Sequence, residues 1–390
     1  MKNVCLLAIL WICACSHEQP ELDDLRTIDF EDTVTQIDEL GSYSRADAVQ
    51  FLNLINPISS ISTTCGFTLF RIHYWTHDHA DKRVLVSGLM AIPDADQIKG
   101  VVSYQHGTMT YRGNSISNPS PGEGIGIASL FAANAYLLVA PDYIGLGISE
   151  EIHPYYHVPS TVNAIVDLIR VGARVSHYYE GRPNLFLTGF SQGGGASLAA
   201  HRYLQGNNET GLSITACAPI AGAYNLSEIS LPYGIEQHSS NMLVYLSYLS
   251  LAYSEIYQVE LSEFIQPPFN TELPIWLDGN HQPDFLKDHL PKQTTDLFKP
   301  EFVAMIRSGE DFWFTQMLEE NEMYRWVPER PVRLFYGEND IDVIPAESES
   351  AYEYMYQNGG NVELANLGPY DHEESILLAL PLIQQWFDTF

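Results

Sequence analysis

The sequence has few basic side chains, few cysteines and no apolar run at its start long enough to cross a bilayer. Its 390 residues include 19 Lys and Arg against 49 Asp and Glu, so the formal net charge is -30. A field of that sign repels phosphate backbones, which excludes nucleic-acid binding. Hydrophobic residues make up 45% of the chain, so a large buried core is available and a wholly disordered chain is excluded.

The first residues predict an export signal. A short basic start is followed by an apolar run over 4–12, too short to span a bilayer of roughly 30 Å. The run leads into Ile-Cys-Ala-Cys ending at Cys15, which resembles a bacterial lipobox. We therefore expect a signal peptide over 1–14, a lipidated Cys15 and a tether over 15–43. An ordinary secretory signal, cleaved near Ala14, is the alternative.

Both alternatives predict an exported protein. A lipid on Cys15 would make it a lipoprotein of the bacterial cell envelope, expected at the outer membrane and held there through its lipid anchor. Whether it faces the periplasm or the exterior stays open. Two further cysteines, Cys65 and Cys217, remain in the mature chain. This compartment permits a disulfide between them, although two buried thiols are the favoured interpretation.

The remaining chain alternates apolar strands with helices. The predicted strands cover 67–74, 82–92, 100–105, 136–140, 184–188, 213–219, 332–336 and 362–366. The predicted helices cover 45–55, 161–179, 192–204, 241–259, 346–357 and 373–387. Strands alternating with helices of this length predict an α/β fold, a mostly parallel sheet with helices on both faces. We expect this core over 44–223 and 331–390.

One segment, 224–330, carries no clear strand and is far longer than an ordinary loop. Apolar and aromatic residues recur there at helical spacing, among them Tyr245, Tyr248 and Tyr253. The segment therefore predicts a helical cap inserted between two strands of the sheet. A few of its aromatic side chains should face the cleft beneath.

The most informative motif is Gly-Phe-Ser-Gln-Gly over 189–193, centred on Ser191. It follows an apolar strand and opens a helix, which is the context of a nucleophile elbow, a strained turn that exposes a serine hydroxyl. The start of the helix also favours negative charge that develops nearby. Ser191 is therefore the candidate nucleophile.

A serine hydroxyl needs a base to remove its proton, and histidine is suited to this near neutral pH. His372 stands out among the 13 histidines because it lies between the last predicted strand and the final helix. A carboxylate should orient the imidazole. Asp340 lies in the turn after the strand 332–336 and is the favoured candidate; Asp342, two residues on, is the alternative.

An oxyanion hole needs two backbone N–H donors. The first expected donor is the N–H of Gln192, directly after the candidate nucleophile. The second should come from the loop after the strand 100–105, where Gly107 permits a close approach of the backbone and Thr108, or Gly107 itself, supplies the N–H.

These segments resemble the α/β-hydrolase superfamily, in particular its esterases and secretory-lipase-like members. The chain order nucleophile, acid, histidine matches that superfamily. So do the Asp-x-x-Gly-x-Gly turn over 142–147 and the His-Pro-Tyr over 153–155. The resemblance covers roughly 65–390. It implies a Ser-His-Asp triad, although one extra residue between Asp340 and Pro345 departs from the family pattern and keeps Asp342 in question.

The expected activity is cleavage of small-molecule carboxylic esters through an acyl-enzyme intermediate, as in a carboxylesterase or lipase-like enzyme. A serine peptidase of the same fold, resembling aminopeptidases, is the alternative, and it would need an acidic anchor in the cap. Residues that could supply that anchor are Glu255, Glu260 and Glu263. A non-catalytic, surface-binding lipoprotein is a third hypothesis, which the elbow serine disfavours. The oligomeric state stays open.

No metal and no organic cofactor are expected. The cluster that could suggest a metal site lies at a predicted hairpin, where alternate side chains point to opposite faces. Its members are His73, His77, Asp78, His79 and Asp81.

Overall fold

The computed structural model describes residues 25, 27–55, 61–118, 122–179, 184–207, 210–237 and 239–390. Within these ranges the strands are β1 (Val34–Tyr43), β2 (Phe67–His77), β3 (Arg83–Pro93), β4 (Gly100–Gln105), β5 (Tyr136–Pro141), β6 (Asn184–Phe190), β7 (Ala216–Ile220), β8 (Val332–Tyr336) and β9 (Val362–Asn366). The α-helices of the same ranges are α1 (Arg45–Ile55), α2 (Glu123–Phe131), α3 (Val158–Ser176), α4 (Gln192–Gly206), α5 (Leu231–Glu236), α6 (Ser240–Tyr257), α7 (Phe269–Trp276), α8 (Pro283–His289), α9 (Thr294–Leu297), α10 (Pro300–Ser308), α11 (Trp313–Glu320), α12 (Pro345–Gln357) and α13 (His372–Phe387).

Among the described residues, nine strands form a single sheet in the order β1-β2-β3-β5-β4-β6-β7-β8-β9. Strands β1, β2, β3 and β5 pair antiparallel in turn, whereas every pair from β5 through β4 to β9 is parallel. The predicted mostly parallel sheet is therefore confirmed. Because parallel strands end at a common edge, the loops after β4, β6, β8 and β9 meet on one side of the sheet.

The side chains of each strand alternate between the two faces of the sheet. On β5, Leu137 and Val139 lie in one buried cluster, while Leu138 and Ala140 lie in the other. Helices α3, α4 and α12 cover the first face, and α1, α2 and α13 cover the second. The period of two in the sequence thus gives the sheet two apolar faces, and each needs a layer of helices.

The predicted tether over 15–43 is wrong in its last part, because Val34–Tyr43 forms strand β1 and pairs with β2. This strand lies at the edge of the sheet, where all of its side chains are half-buried or exposed, so polar and acidic residues are tolerated there. The predicted signal peptide over 1–14 and the predicted lipidation site Cys15 lie outside the described residues.

The segment 224–330, predicted as a cap, is largely helical and holds α5 to α11. A short π-helix over Leu226–Ser230 precedes them. Tyr253 and Phe314 of this segment belong to the same buried cluster as Val139 of the sheet, so the segment packs on the core without a break. The division of the chain into core and cap stays a prediction. None of the helices in the described ranges has the length and apolar character needed to cross a membrane.

A buried carboxylate attaches the start of this segment to the core. Glu347 of α12 accepts hydrogen bonds at Oε2 from the backbone N–H groups of Tyr224 and Asn225, both at 2.8 Å. Its Oε1 accepts one from the hydroxyl of Ser230. Burial raises the pKa of Glu347 to about 7; the three hydrogen bonds oppose this shift and the nearby charge of Glu322 adds to it.

The raised pKa makes stability depend on pH. The folded protein holds this proton more tightly than the unfolded chain, whose carboxyl has a pKa near 4.5. The stabilisation that protonated Glu347 contributes to the folded state is therefore complete below pH 4.5 and is lost as the pH rises towards about 7. In Glu347→Gln the amide keeps an acceptor for the backbone N–H groups and a donor for Ser230, but it does not titrate. We predict that the free energy of unfolding of the wild type falls relative to this variant, by roughly 3 kcal/mol over that interval.

Urea unfolding at pH 4.5, 6 and 8 measures this difference. Glu349→Gln, at an exposed position of the same helix, should retain the pH dependence of the wild type. Parallel pH curves for the wild type and Glu347→Gln would contradict the assignment.

Candidate active site

Ser191 lies in a sharp turn between β6 and α4. Its backbone has φ 56° and ψ −118°, a left-handed conformation that costs a non-glycine residue about 1–3 kcal/mol. The flanking glycines are required by close backbone contacts: a Cβ on Gly193 would lie 1.9 Å from the carbonyl oxygen of Gln105, and one on Gly189 would lie 2.4 Å from that of Gly193. This turn has the geometry of a nucleophile elbow at the C-terminal edge of the parallel strands.

The loops after β8 and β9 bring an aspartate and a histidine together. The Nδ1–H of His372 donates to Oδ2 of Asp340 at 2.6 Å, and both side chains are buried. The other oxygen of Asp340 accepts the backbone N–H groups of Asp342 at 2.9 Å and Val343 at 2.8 Å. The carboxylate is thus held on both of its oxygens, which fixes the plane of the imidazole.

Asp342 points elsewhere. Its Oδ2 accepts a hydrogen bond from Nδ2 of Asn241 at 2.9 Å and lies 3.5 Å from the hydroxyl of Tyr245, both on helix α6. Of the two candidates left open by the sequence, the structure therefore pairs Asp340 with His372.

The imidazole of His372 lies beside the elbow. Its ring centroid is 4.6 Å from that of Phe190, the residue before Ser191. Because Nδ1 carries a proton and donates a hydrogen bond to Asp340, Nε2 is the basic nitrogen of the neutral ring. This Nε2 is buried and has no hydrogen-bond partner within the described parts of the chain. An unpartnered buried acceptor next to the elbow is available to take a proton.

Two opposing effects act on His372. Burial alone would lower the pKa of its imidazole, but the hydrogen bond to Asp340 and the charge of that carboxylate outweigh burial. The charges of Asp342 and Glu373 add to this, so the pKa is raised above its ordinary value. The site therefore stabilises the imidazolium that forms when His372 takes a proton.

The candidate oxyanion donors lie on either side of Ser191. Gln192 is the first residue of α4, so its backbone N–H has no partner within the helix. On the β4 side, a Cβ on Gly107 would lie 3.6 Å from Cβ of Ser191, which places this loop against the elbow. The hydroxyl of Thr108 is 2.7 Å from that of Tyr155, and this contact holds the next part of the loop.

The side chain of Gln192 contacts a buried histidine, His153, and the sequence did not predict this contact. Nδ1 of His153 lies 2.7 Å from the carbonyl oxygen of Ile144, and Nε2 lies 2.8 Å from Nε2 of Gln192. Burial lowers the pKa of His153 to about 4, so its ring is neutral at pH 7. Nδ1 therefore carries the proton, and Nε2 accepts from the amide of Gln192. The His-Pro-Tyr motif over 153–155 drew attention to His153, but its contact with Gln192 is visible only in the fold.

A small apolar cavity of about 70 Å³ adjoins Ser191 beneath the segment 224–330. Its polar lining comes mainly from tyrosines and two carboxylates, namely Tyr155, Tyr156, Tyr233, Tyr245, Asp342 and Glu347. Of the aromatic residues named from the sequence, Tyr245 reaches this cavity. Tyr248 instead stacks on Tyr155, with 4.9 Å between the ring centroids. The proposed acidic anchors Glu255, Glu260 and Glu263 are not part of the cavity wall in the described chain.

In the cluster at the predicted hairpin, His73 faces a carboxylate. His73 lies 3.3 Å from Asp38 of the neighbouring strand. Within the described ranges, no group of three or more His, Cys, Asp or Glu is arranged to hold a metal ion. Cys65 and Cys217 are both free thiols; Cys217 is buried, as expected, whereas Cys65 is only half-buried.

Known structures share this architecture. A protein from Legionella pneumophila, provisionally assigned as a hydrolase, is 26% identical, with a TM-score of 0.85 over 92% of this chain and 98% of that one. The rice cell wall degrading esterase LipA from Xanthomonas oryzae is 23% identical, with a TM-score of 0.79 over 92% of this chain and 97% of that one. Candida antarctica lipase A is 15% identical, with a TM-score of 0.62 over 94% and 84% of the two chains.

No protein-family model and no curated protein sequence matches the chain. The structural neighbours and the strand order together show that it has the α/β-hydrolase fold. The fold predicted from the sequence is therefore confirmed.

The pairing of His372 with Asp340 predicts how its pKa responds to substitution. Asp340→Asn removes the charge next to Nδ1, so the pKa of His372 should fall below that of the wild type. Asp342→Asn leaves the hydrogen bond between Asp340 and His372 in place and should lower the pKa of His372 less. NMR titration of protein with labelled histidine rings, with the signal assigned through His372→Gln, measures both shifts. A larger shift in Asp342→Asn than in Asp340→Asn would reverse the assignment of the acid.

Proposed function

We propose that this α/β-hydrolase-fold protein is a serine hydrolase that cleaves carboxylic esters through an acyl-enzyme intermediate. The observation that carries the proposal is the position of Ser191, in a strained turn next to a buried Asp340–His372 pair whose Nε2 is unpartnered within the described residues. Strain of this kind persists only where the surrounding fold enforces it, and it is typical of functional sites.

The first chemical step is attack of the Ser191 hydroxyl oxygen on the ester carbonyl carbon, while Nε2 of His372 accepts the hydroxyl proton. The carbonyl electron pair moves to oxygen, and the resulting oxyanion accepts hydrogen bonds from the N–H of Gln192 and that of Thr108 or Gly107. Asp340 stabilises the imidazolium formed on His372.

The intermediate then collapses. The bond to the alcohol oxygen breaks, the alcohol takes the proton from Nε2 of His372, and the acyl group remains on Ser191. Water repeats the sequence in the second half: His372 takes a proton from water, the hydroxide attacks the acyl carbon, and the acid leaves as Ser191 recovers its proton. None of these steps needs a redox change or a further reactant.

Three observations favour an ester over a peptide substrate. Among the structural neighbours, one is described as an esterase and one as a lipase. The three glutamates proposed to anchor a substrate amino group are not part of the cavity wall in the described chain. A peptidase would also bind an extended chain, whereas the cavity beside Ser191 is small and mostly apolar.

We also propose that export and membrane attachment depend on the lipobox-like sequence ending at Cys15. Acyl chains on this residue would hold the hydrolase on a bacterial membrane, because each buried methylene contributes about 0.8 kcal/mol. The expected location is the outer membrane, with the side left open.

A fluorophosphonate probe tests the nucleophile. The wild type should be labelled and should hydrolyse p-nitrophenyl esters but not aminoacyl anilides, whereas Ser191→Ala should lose both labelling and ester hydrolysis. Ser308→Ala, at an exposed position of α10, is the matched control and should behave as the wild type. Labelling that persists in Ser191→Ala would show that the nucleophile is another residue, and turnover of anilides alone would favour the peptidase.

Metabolic labelling with a fatty acid tests the anchor. The wild type should incorporate the label and sediment with membranes, and Cys15→Ser should do neither, because the acyl chains have no other attachment site at the mature N-terminus. Cys65→Ser should keep both properties. An unlabelled but exported wild type would instead support the ordinary secretory signal.

A further inference from the structure

We propose that the cavity beside Ser191 binds an alkylammonium group of the ester substrate, and that Asp342 recognises its charge. This inference rests on the proposed ester hydrolysis and adds a substrate class to it. From the sequence, Asp342 is only an alternative candidate for the acid of the triad. In the structure, the carboxylate paired with His372 is that of Asp340.

Asp342 is a negative charge in the cavity wall without a cationic side chain beside it. The wall formed by the described residues contains no Lys, Arg or His. Asn241 and Tyr245 contact only Oδ2 of Asp342. A carboxylate has about four acceptor positions, so capacity remains for a cation brought by a ligand. The charge of Asp342 is also felt at His372, where it contributes to the raised pKa.

The second carboxylate of the wall has a different task. Glu347 already accepts two backbone N–H groups and a hydroxyl, and with a pKa of about 7 it is partly protonated at neutral pH. It therefore attaches the segment 224–330 to the core, and the recognition of charge falls to Asp342.

The rest of the wall suits the apolar part of an alkylammonium group. Four tyrosines, Tyr155, Tyr156, Tyr233 and Tyr245, line the cavity together with aliphatic residues such as Leu246. Aromatic faces attract cations, most strongly when water is excluded, and the methyl groups of such a cation pack on aliphatic walls. The small volume of about 70 Å³ favours a compact group over a long acyl chain.

The charge of the whole molecule has the same sign as the site. With a net charge of -30, the protein draws cationic esters towards it and repels anionic ones. An ester that carries a fixed positive charge thus gains in both association and binding.

Two pairs of isosteric esters test the proposal. In the first pair the charge is in the alcohol: butyrylcholine against 3,3-dimethylbutyl butyrate. In the second it is in the acyl group: the p-nitrophenyl ester of trimethylglycine against that of 3,3-dimethylbutanoic acid. The quantity measured is the ratio of kcat/KM for the charged ester to that for its neutral isostere. Dividing the ratio of the wild type by that of Asp342→Asn cancels the intrinsic reactivity of each ester.

We expect this quotient to be about tenfold in one of the two pairs, which also shows whether the cavity holds the alcohol or the acyl group. Asp342→Glu retains the charge and should retain most of the preference. Asp288→Asn changes the net charge equally at an exposed position of α8 and should leave the ratio unchanged. A quotient near one in both pairs would overturn the proposal while leaving ester hydrolysis intact.

A measurement on the wild type alone covers the case in which Asp342→Asn does not fold. Choline should inhibit hydrolysis of a neutral ester at a concentration about tenfold lower than its neutral isostere 3,3-dimethylbutanol. Equal inhibition constants would overturn the proposal. Failure of the protein to hydrolyse any neutral ester, together with no fluorophosphonate labelling, would instead overturn the proposed function on which it rests.

Discussion

The carboxylate of Asp340 accepts three N–H groups at once: those of His372 Nδ1 and of the backbone of Asp342 and Val343. It joins the loop after β8 to the loop after β9 in a buried place, where an unmade hydrogen bond is costly. The orientation of the imidazole, a large part of its raised pKa and the course of the backbone at Asp342 and Val343 follow from this one group. Asp342 in turn reaches the cavity wall because Asp340 holds its backbone.

The chain inserted between β7 and β8 is fastened to the same neighbourhood. Glu347, two residues after the start of α12, holds its first residues, and Asp342 contacts Asn241 and Tyr245 of α6. These contacts place the roof of the cavity with respect to loops that carry the proposed chemistry. The proposed substrate selection and the proposed catalysis therefore share structural supports, although the residues concerned come from different parts of the sequence.

Much of this arrangement could be predicted from local patterns. The alternation of apolar strands and helices is strong, and the Gly-Phe-Ser-Gln-Gly motif lies where a strand meets a helix. Outside the segment 224–330, one strand and one α-helix escaped prediction for physical reasons. The edge strand β1 is largely polar because none of its side chains is fully buried. Helix α2 contains glycines that suggest a loop; one of them, Gly124, is needed because a Cβ there would lie 2.4 Å from the carbonyl oxygen of Ile116.

The sequence favours Asp340 but leaves Asp342 open, and it does not predict the contact between Gln192 and His153, because both questions depend on contacts between distant segments. Asp340 and Asp342 lie only two positions apart in the sequence. In the structure, Asp340 contacts His372, whereas Asp342 contacts helix α6. His153 contacts Gln192 across 39 residues of chain.

The left-handed backbone at Ser191 also limits which nucleophiles this scaffold can carry. A branch at Cβ is strongly disfavoured at a φ of 56°, so threonine would not be accommodated, although it offers the same functional group. Cysteine has the unbranched shape of serine and would fit without moving the turn. The scaffold therefore accepts nucleophiles with an unbranched Cβ, and these include aspartate, which tolerates a positive φ, as well as cysteine.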